Sequence, residues 1–219
     1  MDLGYIIGTF ARVGAGLDKT MTLFVVTLAA SLPLGFVFTL LVRCRFAPLR
    51  WFTQTFIYIM RSTPLILQLL FVYFGMPYMP GVGPWFQSLD RFDAAMIAFV
   101  LNYAAYFAEI FRGGLLAVDP GQFEAAKVLG LTKTQTMLRI VLPQMLRVAM
   151  PSISNETITL VKDTSLMFTL AIPEVLQFAK SAVNATGKTF PFVVAGIIYL
   201  VLNMVITWGL KKIEKRYEF

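Results

Sequence analysis

The stretch from Thr20 to Val42 carries no Asp, Glu, Lys or Arg, and this restricts the fold more than any other feature of the chain. About 20 mainly apolar residues cross a bilayer's hydrocarbon core as one helix. In water the same run has to be wrapped on every side by other apolar chain. The rest of the sequence cannot do that wrapping. Of its 219 residues, 58% are hydrophobic and 14% charged, with a mean hydropathy of +0.72. Soluble domains carry roughly 25% charged residues. The composition is that of an all-α integral membrane protein.

Four further stretches read as spans: Ser62 to about Met79, Asp93–Arg112, about Met145–Phe168, and Thr189–Leu210. Pro and Gly cluster between Met76 and Pro84 and mark a loop. The segment Trp51–Met60 is too apolar for a free loop, and it reads as an interfacial amphipathic helix. Arg61 argues against continuing that helix into the membrane, where an unpaired cation is costly.

Five spans put the two termini on opposite sides. One set of connecting segments holds thirteen basic residues, among them Arg43, Arg45, Arg50, Arg112, Lys211 and Lys212; the other holds five. The positive-inside rule assigns the richer set to the cytoplasm. The N-terminus is then expected outside and the C-terminus inside. The formal charge of +7 becomes a topology signal, and nucleic acid is not an expected partner. Met1–Lys19 lacks the n-region and cleavage pattern of a signal peptide.

Several chemistries are excluded. Histidine is absent and Cys44 is the single cysteine, so hydrolase triads, His-based metal sites and intrachain disulfides are ruled out. Ala182–Thr189 resembles a phosphate-binding loop, but Ala182 replaces the first glycine, no strand precedes it and Pro191 follows closely. Neither metal nor cofactor is expected on this chain.

About 30 residues separate the third and fourth spans, and they are patterned. Asp119–Gly130 reads as a short helix, with Pro120 early and Gly130 at the left-handed terminal position. Thr132 starts a second helix, and Gln135 completes a capping box. Pro143 ends that helix or opens the next. An ordinary solvated loop, a DNA-binding helix-turn-helix and a docking element for a cytoplasmic partner all compete here. The caps and the apolar residues Phe123, Val128, Leu131 and Met137 favour docking.

Glu124-Ala125-Ala126, Gly130, Ile140, Leu142 and Pro143 together resemble the EAA loop of ABC importer permeases. Arg61–Gln68, Ala105–Gly114, Gly121–Ala126 and Lys162–Leu166 resemble the polar amino-acid permeases of the histidine/arginine/glutamine type. The likeness covers roughly residues 18–215, with Ser62 standing where that family usually has glycine. It implies a type I ABC importer permease fold, a single permease domain over 1–219, and a coupling loop over 112–143. It implies a bacterial inner-membrane location and a second permease, identical or sister. Two ATP-binding subunits, which hold ATP and Mg, and an extracytoplasmic solute-binding protein complete the implied assembly. Gln122, Glu124, Ala125, Ala126, Gly130, Leu131 and Thr132 are the implied coupling residues.

The fourth span is the most polar. Glu156, Thr159 and Asp163 are separated by 3 and 4 residues and share one helix face, while Lys162 stands about 100° from Asp163. Such groups in a bilayer pair with partners or line a path. With Ser165, and with Thr63, Gln68, Asn102 and Tyr106 from the second and third spans, they form the candidate substrate-binding set. Glu109 and Arg112 read as a structural i,i+3 pair. The amino-acid ammonium only half balances two ionised carboxylates, which favours a cationic side chain; if Lys162 or an arginine neutralises one acid, the site instead suits neutral zwitterions such as glutamine or cystine. An ion-gradient-driven transporter is the alternative, although it needs no docking loop and commonly shows internal repeats.

Overall fold

The computed structural model describes residues 2–216. Its helices are α1 (Leu3–Gly14), α2 (Leu17–Val42), α3 (Ala47–Ser62), α4 (Leu65–Leu70), α5 (Gly83–Gln87) and α6 (Arg91–Leu116). They continue with α7 (Gly121–Val128), α8 (Lys133–Thr136), α9 (Leu142–Asp163), α10 (Val175–Thr186) and α11 (Phe190–Glu214). Among the described residues, three helical stretches are long and apolar enough to cross a membrane, or up to five if each of two bent pairs counts as one span.

Helix α6 is the hub. Phe99, Tyr103 and Phe107 are among its fully buried side chains, and α2, α3, α4 and α9 pack around it. Helix α2 is apolar on all sides, so hydropathy does not orient it. A stripe of small residues does: Thr27, Ser31, Gly35 and Thr39 recur every four positions and are all buried. Small residues let helices approach closely in a membrane. A Cβ on Gly35 would sit 2.8 Å from the Phe107 Cβ and 2.9 Å from the Ala104 carbonyl oxygen. The Thr39 hydroxyl lies 2.9 Å from the carbonyls of both Gly35 and Ala108.

The N-terminal stretch forms α1, which packs on α10 and α11. Trp51–Met60 lies in α3, which ends at Ser62 just after Arg61 and meets the next segment, Leu65–Tyr78, at a 110° bend, so the helix does not run straight on past Arg61. Arg61 lies 3.9 Å from Glu109. The second loop helix is not separate: α8 runs through a π-helical turn at Met137–Val141 into α9, and the run reaches Leu170. Pro143 comes just after that π-helical turn, at the start of α9. The first loop helix is shorter than expected, Gly121–Val128.

The second broken pair bends by 50° between Leu170 and Val175. Ala171 is left-handed there (φ 53°). Glu174, fully buried, caps α10 by accepting from the Leu176 and Gln177 amides, and it also accepts from the Tyr199 hydroxyl at 2.8 Å. The stretch resembling a phosphate loop is the helical end of α10, closed by Gly187 at φ 66°.

Candidate functional site

The site begins at the break between α3 and α4. Pro64 disfavours helical geometry at the residue before it, and Thr63 is extended (φ −115°, ψ 144°). The broken helix leaves carbonyls that need donors. Gln68 turns back to supply them: its Nε2 lies 2.9 Å from the Met60 oxygen, 3.2 Å from the Thr63 oxygen and 2.8 Å from Thr63 Oγ1. Asn102 of α6 donates to both the Met60 oxygen and Gln68 Oε1, at 3.0 Å each. The two amides fix the bend against the hub helix.

A cavity of about 380 Å³ opens beside this bend. Thr63, Pro64, Leu65 and Ile66 form one wall, Asn102, Tyr103 and Tyr106 a second, and Glu156, Thr159, Asp163 and Leu166 a third. Six of the eight residues expected to bind substrate therefore meet around one space. The other two do not line it. The Gln68 amide is engaged within the bend, and the Ser165 hydroxyl donates to the Lys162 carbonyl at 2.7 Å.

Tyr103 is the polar wall residue outside the expected set. Its hydroxyl donates to Asp163 Oδ2 at 2.8 Å. The spacing offered a signal, because Tyr103 is three residues from Tyr106 and shares its helix face. The cavity thus presents two carboxylates, hydroxyls and one amide. This is an acceptor-rich lining suited to an ammonium or guanidinium donor.

A ladder of charges borders the cavity on the side of the α6 C-terminus. The Arg61 guanidinium lies 5.6 Å from the centre of the Tyr106 ring. Arg61 also approaches Glu109, which accepts two hydrogen bonds from Arg112. Thr39, Gln54, Tyr58 and these three charged residues line a second cavity of about 300 Å³.

The coupling candidates lie on α7 and the turn after it. Ala126 is buried, while Gln122, Glu124, Ala125 and Gly130 are exposed. Gly130 has φ 72°, and the Leu131 amide donates to the Ala126 carbonyl at 3.0 Å, closing the helix as a left-handed cap. The capping box of Thr132 and Gln135 forms with both bonds. Gln144 donates to Gln122 at 3.3 Å and ties α7 to α9. Between α7 and α8 a cavity of about 620 Å³ is lined by Phe123, Lys127, Leu131, Thr132, Lys133, Thr136 and Met137. Val128 and Leu129 beside it are 87% and 75% exposed. These are large, exposed apolar side chains at the tip of the loop.

Residues 31–219 match the family model described as the binding-protein-dependent transport system inner membrane component. The chain belongs to that family. Among family relatives, the arginine transport system permease protein ArtQ of Bacillus subtilis (strain 168) is 39% identical, covering 100% of this chain and 98% of the relative. The octopine transport system permease protein OccM of Rhizobium radiobacter is 37% identical, over 94% of this chain and 85% of the relative. A crystal structure of an amino acid ABC transporter with histidines superposes with a TM-score of 0.87 at 27% identity, covering 99% of each chain. An inward-facing methionine ABC transporter, at 18% identity and a TM-score of 0.73 over 100% of each chain, shares the fold. As an ABC-type inner-membrane permease component, the chain is a multi-pass membrane protein. Nothing supports the ion-gradient-driven alternative.

Proposed function

We propose that this chain is one of two permease subunits in an ATP-driven importer of polar amino acids, with cationic side chains favoured. The observation that carries the substrate class is the cavity lined by Glu156, Asp163, Thr159, Asn102, Tyr106 and Thr63. Its acceptors suit an α-ammonium plus a second cation. The similarity to the arginine permease points the same way.

In this reading residues 1–219 form a single membrane domain, with the N-terminus outside and the loop of α7 and α8 in the cytoplasm. Two ATP-binding subunits dock on that loop through Gln122, Glu124, Ala125, Ala126, Gly130, Leu131 and Thr132, and they bind and hydrolyse ATP with Mg. Their closure rocks α9, since α8 continues into it without a hinge loop. An extracytoplasmic binding protein delivers the amino acid, and the second permease, identical or sister, completes the path.

The test is uptake by the reconstituted complex with its ATPase and binding protein. Labelled arginine is expected to accumulate only with ATP inside the ATPase-facing compartment, and to outcompete glutamate. Uptake driven by an ion gradient without ATP, or a preference for acidic amino acids, overturns the reading.

A further inference from the structure

We propose that the groove between α2, α9 and α11 holds one acyl chain of an anionic phospholipid from the leaflet facing the coupling loop, with its headgroup at Arg139, Lys211 and Lys212. This groove of about 490 Å³ lies apart from the polar cavity and is lined by Leu32, Phe36, Leu142, Leu146, Met150 and Ile153, among others. Thr157 also faces it, but its hydroxyl donates to the Ile153 carbonyl at 2.7 Å. The lining therefore offers a ligand no free donor.

Three observations select the occupant. The first is length. From Leu142 to Ile153 the helix rises about 17 Å at ~1.5 Å per residue. One leaflet of a hydrocarbon core about 30 Å thick is close to that depth. The groove is as long as one acyl chain's half of the membrane.

The second is the size of the lining residues. Helices that pack in a membrane meet through small residues, and this protein follows the rule. Gly35 faces Phe107 and Ala104 where α2 meets α6, and Gly114 faces Met145 and Ala149 where α6 meets α9. The groove has no Gly, Ala or Ser among its lining residues, and Thr157 is the one small residue there. Bulky Leu, Met and Phe side chains suit an acyl chain better than another helix.

The third is a cluster of basic residues at one end. Arg139 is exposed three residues before Leu142, and exposed Lys211 and Lys212 fall between the lining residues Leu210 and Ile213. Lys215 follows, and Glu214 is the one acid in this stretch of α11. Trp208 is 69% exposed and carries Lys212 over its ring at 5.4 Å. Tryptophan beside lysine marks headgroup depth, so the basic end of the groove lies where a lipid phosphate sits.

The assembled transporter, in nanodiscs of phosphatidylcholine and phosphatidylglycerol, is extracted in detergent and its retained lipid counted by mass spectrometry. The wild type is expected to retain phosphatidylglycerol in excess over its share of the bilayer. L146W and M150W, which fill the groove, are expected to lose that retained lipid. K211E/K212E is expected to lose the preference by about fivefold or more per charge, the scale of ~1 kcal/mol for each basic residue at an anionic surface. A fluorophore on L146C in a C44S background gives an answer even where the tryptophan variants do not assemble. Spin-labelled phosphatidylglycerol is expected to quench it more than spin-labelled phosphatidylcholine. Equal quenching by both lipids, no excess retention by the wild type, or a disulfide between L146C residues of two permease copies overturns the proposal. The disulfide would make this face a protein interface.

Discussion

The Tyr103 hydroxyl donates to Asp163 Oδ2 at 2.8 Å and joins the hub helix α6 to the end of α9 across the cavity wall. Tyr103 is 1% exposed, and its ring stacks on Phe99 and meets Phe107. Tyr103→Phe removes the donor and keeps the ring packing. A hydrogen bond to a charged group contributes about 1.5–3 kcal/mol, so the initial uptake rate is expected to fall about tenfold or more. The yield of assembled complex, followed by size exclusion, is expected to stay near wild type. Unchanged uptake would show that Asp163 needs no orienting donor.

Glu156→Gln and Asp163→Asn test the carboxylates directly. Each keeps the shape of the side chain and removes one charge from the cavity. Import of a cationic amino acid is expected to fall about tenfold or more for each, on the same scale of charged hydrogen bonds. A neutral amino acid such as glutamine is expected to lose less. Wild-type import of arginine by both variants would remove the acid-lined site from the substrate path.

Much of this site was legible in the sequence because helix periodicity is local. Glu156, Thr159 and Asp163 fall on one face by spacing alone, and the cavity uses all three. The caps at Gly130 and Thr132 were equally readable, since a left-handed glycine and a capping box depend on a few adjacent residues. What hydropathy missed was long-range. The approach of Arg61 to Glu109 at 3.9 Å is one such contact, because nothing in the sequence brings the two together across the gap between α3 and α6. Gln68 looked like a ligand contact, because the broken backbone that occupies it exists only once α3 bends at Thr63. The burial of α1 against α10 depends on Gly16 resting on the backbone of Glu174, where an added Cβ would come within 2.3 Å.

Gly35 and Gly196 give a paired test of the packing. Both lie inside long helices. A Cβ at Gly35 meets the Phe107 Cβ and the Ala104 backbone at under 3.0 Å, whereas one at Gly196 meets nothing within 4 Å. Gly35→Leu is expected to destabilise the protein by about 1–3 kcal/mol or more, the usual cost of overpacking. That loss would be read as a lower unfolding temperature in detergent. Gly196→Leu is expected to be neutral or slightly stabilising, since leucine is the better helix former. Equal effects at the two sites would mean that the α2–α6 contact is looser than its geometry.

Gly130 tests coupling through backbone conformation alone. Its φ of 72° lies in the left-handed region, and no heavy atom would contact an added Cβ within 4 Å. Substitution there acts on the turn between α7 and α8 and not on packing. A β-branched residue is strained in that conformation, at a cost of roughly 1–2 kcal/mol, whereas asparagine visits it readily. Gly130→Val is expected to distort the closing bond from the Leu131 amide to the Ala126 carbonyl and to displace Ala125 and Glu124 from the docking surface. Uptake is expected to fall severalfold or more, with the permease still inserted and its ATPase bound more weakly in pull-down. Gly130→Asn is expected to keep most of both activities. Because the two variants differ in backbone preference and not in access to a crowded site, a shared loss would point to the side chain's presence at the docking surface. Wild-type behaviour of Gly130→Val would exclude this turn from coupling altogether.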